Sequence, residues 1–184
     1  MTLQTPGQHM AAESAEAIAV FRATAARIPA MTAIDAAQSV YTVARGSSDA
    51  AANILSYEFM RELGVPVTSL PPSVFSIGKG VALDRSTVLL VSQSGASDDL
   101  VQSAKGARAR GAKVIAITNQ PGSAVEEAAD VTVPIGAGPE LAVPATKTVV
   151  GSIAAGLALL AAARPDFATR LSQDIDGLRN APLG

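Results

Sequence analysis

The chain has 184 residues, 48% of them hydrophobic and 16% charged, with a net charge of −2 at neutral pH. That length suits one domain with a full core, and that balance belongs to a buried globular chain rather than a disordered one. The absence of cysteine excludes disulfides, thiolate catalysis and cysteine-bound metal; the single histidine, His9, leaves too few nitrogens for a conventional zinc site; four phenylalanines and two tyrosines, with no basic run, argue against a nucleic-acid surface.

Residues 1–7 lack the basic and apolar regions of a signal peptide. Residues 10–28 read as an opening helix stopped by Pro29. Strand one is expected at 39–44, its helix at 48–63 with Gly64 past the end, and strand two at 65–69. Pro71-Pro72 opens an irregular connection that reaches Asp84. Strand three is expected at 87–91, a helix at 97–110 closed by Gly111, strand four at 113–118, a short helix at 123–128 and strand five at 131–134. A Gly/Pro loop at 136–139 leads to a long helix ending near Ala163, and Pro165 marks a break before a last helix to about Leu178. The longest apolar stretch, 149–163, is interrupted by Gly151, Ser152 and Gly156. It falls short of the roughly 20 residues that span a bilayer. A soluble, cytoplasmic protein without membrane contact is expected.

Near-continuous apolar strands alternating with helices imply an α/β, three-layer doubly wound sandwich around a five-stranded parallel sheet. The flavodoxin-like order 2-1-3-4-5 puts strands one and three side by side at the switch point, where ligands bind beyond the strand carboxyl ends. The turns that follow those two strands, Arg45-Gly46-Ser47-Ser48 and Ser92-Gln93-Ser94-Gly95-Ala96-Ser97, are rich in hydroxyls and glycine. A buried strand feeding such a turn at a helix start turns backbone N–H groups and hydroxyls to one point, which suits a phosphate. Taken singly, each turn also reads as a capped helix, with Ser47 or Ser97 as the cap. The domain organisation expected is an N-terminal helical arm at 1–30, the sheet domain at 31–165 and a C-terminal helix at 166–184.

Other motifs fail. Gly136-Ala137-Gly138 lacks the third glycine of a dinucleotide fingerprint and follows the last strand, no Walker A sequence exists, and Ser92-Gln93-Ser94-Gly95 lacks the leading glycine of a nucleophile elbow and any downstream histidine.

Ser92-Gln93-Ser94-Gly95-x-Ser97, after a strand and a Gly46-Ser47-Ser48 turn, resembles the sugar isomerase (SIS) domain family. The likeness is greatest to the first isomerase domain of glutamine–fructose-6-phosphate aminotransferase and to relatives lacking its glutaminase half, among them aminosugar-phosphate isomerases and deaminases. His9-Met10-x-x-Glu13, Asn119-x-Pro121-Gly122-Ser123 and the run from Glu140 through Ala145-Thr146-Lys147 extend it over about residues 9–165. The resemblance implies a hexose 6-phosphate or amino-sugar 6-phosphate ligand and no cofactor. Ser47 and Ser48 become hydroxyl ligands, Ser92, Gln93, Ser94 and Ser97 the phosphate cradle, and Val143 a sugar contact. Arg45 either adds charge near the sugar or caps the sheet in solvent. Glu140, the one candidate for catalysis, and Glu13 are either polar site residues or salt-bridge partners, and Lys147 opens its helix. The family's base glutamate, ring-opening histidine and imine-forming lysine match nothing here. The resemblance therefore implies the phosphosugar-binding half of a two-domain enzyme, or else a non-catalytic phosphosugar sensor. A homodimer is expected, because the helix near 146–163 is apolar nearly all round, with Val149, Ile153, Leu157 and Leu160 in one stripe.

Overall fold

A computed structural model describes residues 7–30, 34 and 36–180; the outermost parts of the expected arm and C-terminal segment lie outside the described residues. Five strands, β1 (Ser39–Ala44), β2 (Val67–Ser69), β3 (Ser86–Ser92), β4 (Lys113–Thr118) and β5 (Val131–Pro134), form one sheet in the order β2-β1-β3-β4-β5, with every neighbouring pair parallel. The helices are α1 (Gln8–Ala25), α2 (Ser47–Leu63), α3 (Ser73–Ser76), α4 (Asp98–Arg108), α5 (Ala124–Ala128), α6 (Lys147–Ala163) and α7 (Pro165–Asn180).

β3 is buried along its whole length, as a central strand covered on both faces must be. Its side chains alternate between two cores. Leu89 and Val91 join Leu55, Phe59, Ala155 and Leu159 on the side of α2 and α6. Val88 and Leu90 join Leu100, Ala104 and Val125 on the side of α4 and α5. Where α2 and α6 cross, Gly156 admits Leu55: a Cβ there would lie 2.4 Å from its methyl carbon.

The elements differ from the sequence expectations in ways that local chemistry explains. β2 starts at Val67, two residues late, because Pro66 has no N–H for the ladder; only its carbonyl is used, accepting from Val40 N–H at 3.0 Å. The connection after Pro71-Pro72 contains α3, which two prolines at a helix start favour. Pro165 opens α7 at its first position. α1 ends at Ala25 rather than near residue 28, where the Thr24 hydroxyl donates to Ile135 C=O at 2.7 Å and ties the helix end to the strand β5 exit.

The expected stripe on α6 lies on one helix face and is buried unevenly. Leu160 is fully buried, while Val149, Ile153 and Leu157 are half-buried. α1, α2 and α7 of the same chain pack on this helix. Among the described residues no helix is long and apolar enough to cross a membrane.

Candidate functional site

Adjacent strands bring the two hydroxyl-rich turns together. Ala44 at the end of β1 is in register with Val91 near the end of β3, so both turns leave the same sheet edge. Arg45, on the first turn, pairs with Asp99, on the first turn of α4, at 3.0 Å. Arg45 is thus held across the two turns, although its side chain is 66% exposed. Gly46 is the N-cap of α2, and Ser47 and Ser48 are that helix's first two residues, both half-buried.

The second turn is shaped by its neighbours. Ser92 is buried, and its hydroxyl oxygen accepts from Gly95 N–H at 3.0 Å, closing the turn. The Gln93 carbonyl accepts from Asn119 N–H at 3.3 Å, and the Gly95 carbonyl accepts from Val125 N–H at 2.9 Å. In a trans peptide the N–H points opposite the carbonyl. Anchoring both carbonyls on Asn119, after β4, and on Val125, in the first turn of α5, therefore turns the N–H groups of Ser94 and Ala96 away from them. Ala96 N–H is taken by the Ser94 hydroxyl oxygen at 3.3 Å. Among the described residues the N–H groups of Ser94, Asp98 and Asp99 meet no acceptor, and Ser97, the N-cap of α4, makes no side-chain capping bond. The head of α4 thus offers three free N–H groups and a free hydroxyl, reinforced by the helix dipole.

Beside them lies a cleft of about 590 Å³, walled by Gln93 and Ser94 of the turn, by Asn119, Gln120 and Pro121 after β4, and by residues 138–140 after β5. Asn119 holds the last wall in place: its Nδ2 donates to Gly138 C=O at 2.8 Å and its Oδ1 accepts from Ala137 N–H at 2.8 Å. Of the predicted site residues, Gln93, Ser94 and Glu140 line this cleft. Arg45 and Gly46 line a smaller hollow of about 290 Å³ with Asp49 and Ser69, on the β2 side of the first turn. Val143 is 91% exposed on the loop before α6, outside the residues that line the cleft. Sequence reasoning did not single out Asn119, Gln120 or Pro139 as site residues. The available signal was positional: residues just beyond β4, next to β3 in a doubly wound sheet, face the switch point.

Glu140 is occupied. One oxygen accepts from Thr146 N–H at 2.7 Å, Thr146 Oγ1 at 3.0 Å and Thr148 N–H at 3.3 Å; the other accepts from the Thr148 hydroxyl. It caps α6 from six residues upstream. Burial works to raise its carboxyl, but the bonds from the Thr148 hydroxyl, Thr146 N–H, Thr146 hydroxyl and Thr148 N–H outweigh it and hold the pKa below the usual glutamate value. A carboxylate of lowered pKa is a weak proton acceptor. Folding depresses this pKa, so its stabilisation is complete above the unfolded value of about 4.3 and is lost as pH falls through the lower folded value. In melts taken from about pH 6 down to about pH 3, wild type should lose stability more steeply than Glu140→Gln. Parallel curves would show that the capping bonds contribute nothing.

Glu13 and Lys147 pin the same loop to α1. The buried Glu13 carboxylate accepts from Leu141 N–H at 2.6 Å and from Ala142 N–H at 2.9 Å. Lys147, also buried, pairs with Glu16 at 2.6 Å. Lys147 therefore anchors the start of α6, as its position at a helix start suggested.

A parallel sheet with polar turns gathered at its switch point, beside a cleft, defines a doubly wound α/β domain with a candidate ligand site. The particular family follows from comparison: the chain belongs to the SIS domain family, whose model matches residues 33–162. It is 33% identical over 148 residues to a glutamine–fructose-6-phosphate aminotransferase of Methanothermobacter thermautotrophicus, a match covering 74% of this chain and 25% of that protein. It is 34% identical over 148 residues to the same enzyme of Mycolicibacterium smegmatis, covering 78% of this chain and 23% of that one. A crystal structure from Silicibacter pomeroyi DSS-3, assigned to a phosphosugar isomerase, superimposes with TM-score 0.81 at 39% identity, covering 92% of this chain and 55% of that one. The C-terminal domain of glucosamine-fructose-6-phosphate aminotransferase from Francisella tularensis shares the fold, with TM-score 0.78 at 19% identity over 98% of this chain and 55% of that one. The chain thus spans a quarter or less of these curated relatives and about half of these structural ones.

Proposed function

We propose that the chain binds a hexose 6-phosphate or amino-sugar 6-phosphate, with the phosphate at the 92–97 turn and the sugar in the adjoining cleft. In this reading it is the phosphosugar-binding half, the first of two SIS domains, of a cytoplasmic aminosugar-phosphate isomerase, aminotransferase or deaminase. The observation that carries the reading is the set of unspent donors at the head of α4, beside a cleft whose lining includes Gln93, Ser94, Asn119 and Gln120. This reading assigns Ser47 and Ser48, at the head of α2 on the adjacent turn, as further hydroxyl ligands. Ser92 keeps its proton to donate while its oxygen holds the turn. A second reading, a non-catalytic sensor of the same ligand, is favoured by one observation: Glu140, the carboxylate at the cleft, is committed to capping α6.

The two readings share the phosphate cradle. Removing the Ser94 hydroxyl takes away a hydrogen bond to a charged group, roughly 1.5–3 kcal/mol. Calorimetric titration with glucosamine 6-phosphate should show Ser94→Ala binding about 10- to 150-fold more weakly. An unchanged dissociation constant would remove the turn from the site.

A further inference from the structure

The loop between β5 and α6 is held from outside the cleft, and the holder is α1. Glu13 is 6% exposed, and its two carboxylate oxygens accept the consecutive N–H groups of Leu141 and Ala142. One turn further along α1, Glu16 holds Lys147. Leu141 and Ala142 directly follow Pro139 and Glu140, which line the same cleft as Gln93 and Ser94. The other end of this stretch is held by Asn119. The carbonyls of the phosphate cradle are anchored elsewhere, on Asn119 and Val125.

We propose that Glu13, supported by Glu16 and Lys147, is a positioning residue that fixes the sugar-side wall of the cleft, so that α1 governs recognition of the sugar and not of the phosphate. The proposal rests on the phosphosugar reading of the site. A carboxylate suits the task because it has acceptors only, and two neighbouring N–H groups need two acceptors. Glutamine in its place turns one NH₂ group toward a backbone N–H, donor against donor, and the loop must shift.

The test is paired calorimetry on the 184-residue chain, with glucosamine 6-phosphate and with inorganic phosphate. Glu13→Gln should weaken the phosphosugar about tenfold while phosphate affinity stays within about twofold. Glu16→Gln, at a half-exposed carboxylate, should repeat the selective loss at about threefold. Should Glu13→Gln melt below the titration temperature, the Glu16 variant decides alone. A merely structural role predicts that both ligands weaken together or that neither does, and either result overturns the inference. A wild-type protein that binds glucosamine 6-phosphate no better than phosphate overturns the proposed function and this inference with it. A wild-type preference that survives intact in the variants overturns the inference alone.

Discussion

Replacing Gly95 by alanine is expected to abolish measurable phosphosugar binding and to destabilise the fold. Gly95 has φ of 62°, the left-handed region, which costs an ordinary residue about 1–2 kcal/mol. Space is the harder constraint. A Cβ at this position would stand 2.1 Å from Ser123 Oγ and 2.4 Å from Ser123 Cβ. Ser123 is buried at the head of α5, and the Gly95 carbonyl is bonded to Val125 N–H, so neither side retreats without losing a contact. Overpacking of this kind costs about 1–3 kcal/mol, for a combined loss of about 2–5 kcal/mol in urea unfolding. The displaced turn would misdirect the N–H of Ser94 and the Ser92 hydroxyl together, and two lost charge-assisted bonds correspond to at least about a hundredfold in affinity. Ser123→Gly in the same chain opens the space and should recover the steric share, about 1–3 kcal/mol, while leaving the backbone strain. Wild-type affinity in Gly95→Ala would show that this turn does not hold the ligand. Full additivity of the two substitutions would show that they do not meet.

The fold was largely legible because its signals are local. Apolar runs at 87–91 and 113–118, broken by glycine and followed by helical spacing, mark buried parallel strands in any context, and the strand order follows from packing rules. The errors came from groups whose effect is not periodic, such as the missing N–H of Pro66 and the hydrogen bond from Thr24 to Ile135, whose partners lie 111 residues apart. The site was legible only in part for the same reason. Hydroxyl-rich turns after β1 and β3 can be read from neighbours in sequence. The capping of α6 by Glu140 and the two anchors on Glu13 depend on which atom a carboxylate meets in space. Spacing left both glutamates between site residue and salt-bridge partner. The structure shows a third arrangement, in which each accepts backbone N–H groups.

The chain by itself is expected to bind fructose 6-phosphate and glucosamine 6-phosphate without interconverting them. Ring opening and proton transfer between carbons 1 and 2 need a placed acid and a placed base, each contributing about 10²- to 10⁴-fold. Among the residues lining the cleft, Glu140 alone is titratable, and its carboxylate is spent on Thr146 and Thr148 and held at a lowered pKa. Releasing it to take a proton would uncap α6 as well. The nearby aspartates do not replace it. Asp99 is paired with Arg45 and accepts from Leu100 N–H at 3.0 Å, and Asp98 is exposed in the first turn of α4, where its charge favours the helix dipole but opposes a phosphate unless it points outward. His9, the one histidine, sits in the first turn of α1, outside the cleft lining. Product formation followed over hours at high protein concentration, with and without added ammonia, should stay at the level of buffer alone while calorimetry on the same sample shows saturable binding. Turnover that disappears in Glu140→Gln would overturn this expectation. It would mean that the carboxylate leaves Thr146 and Thr148 when the ligand enters, and that one domain carries a working base.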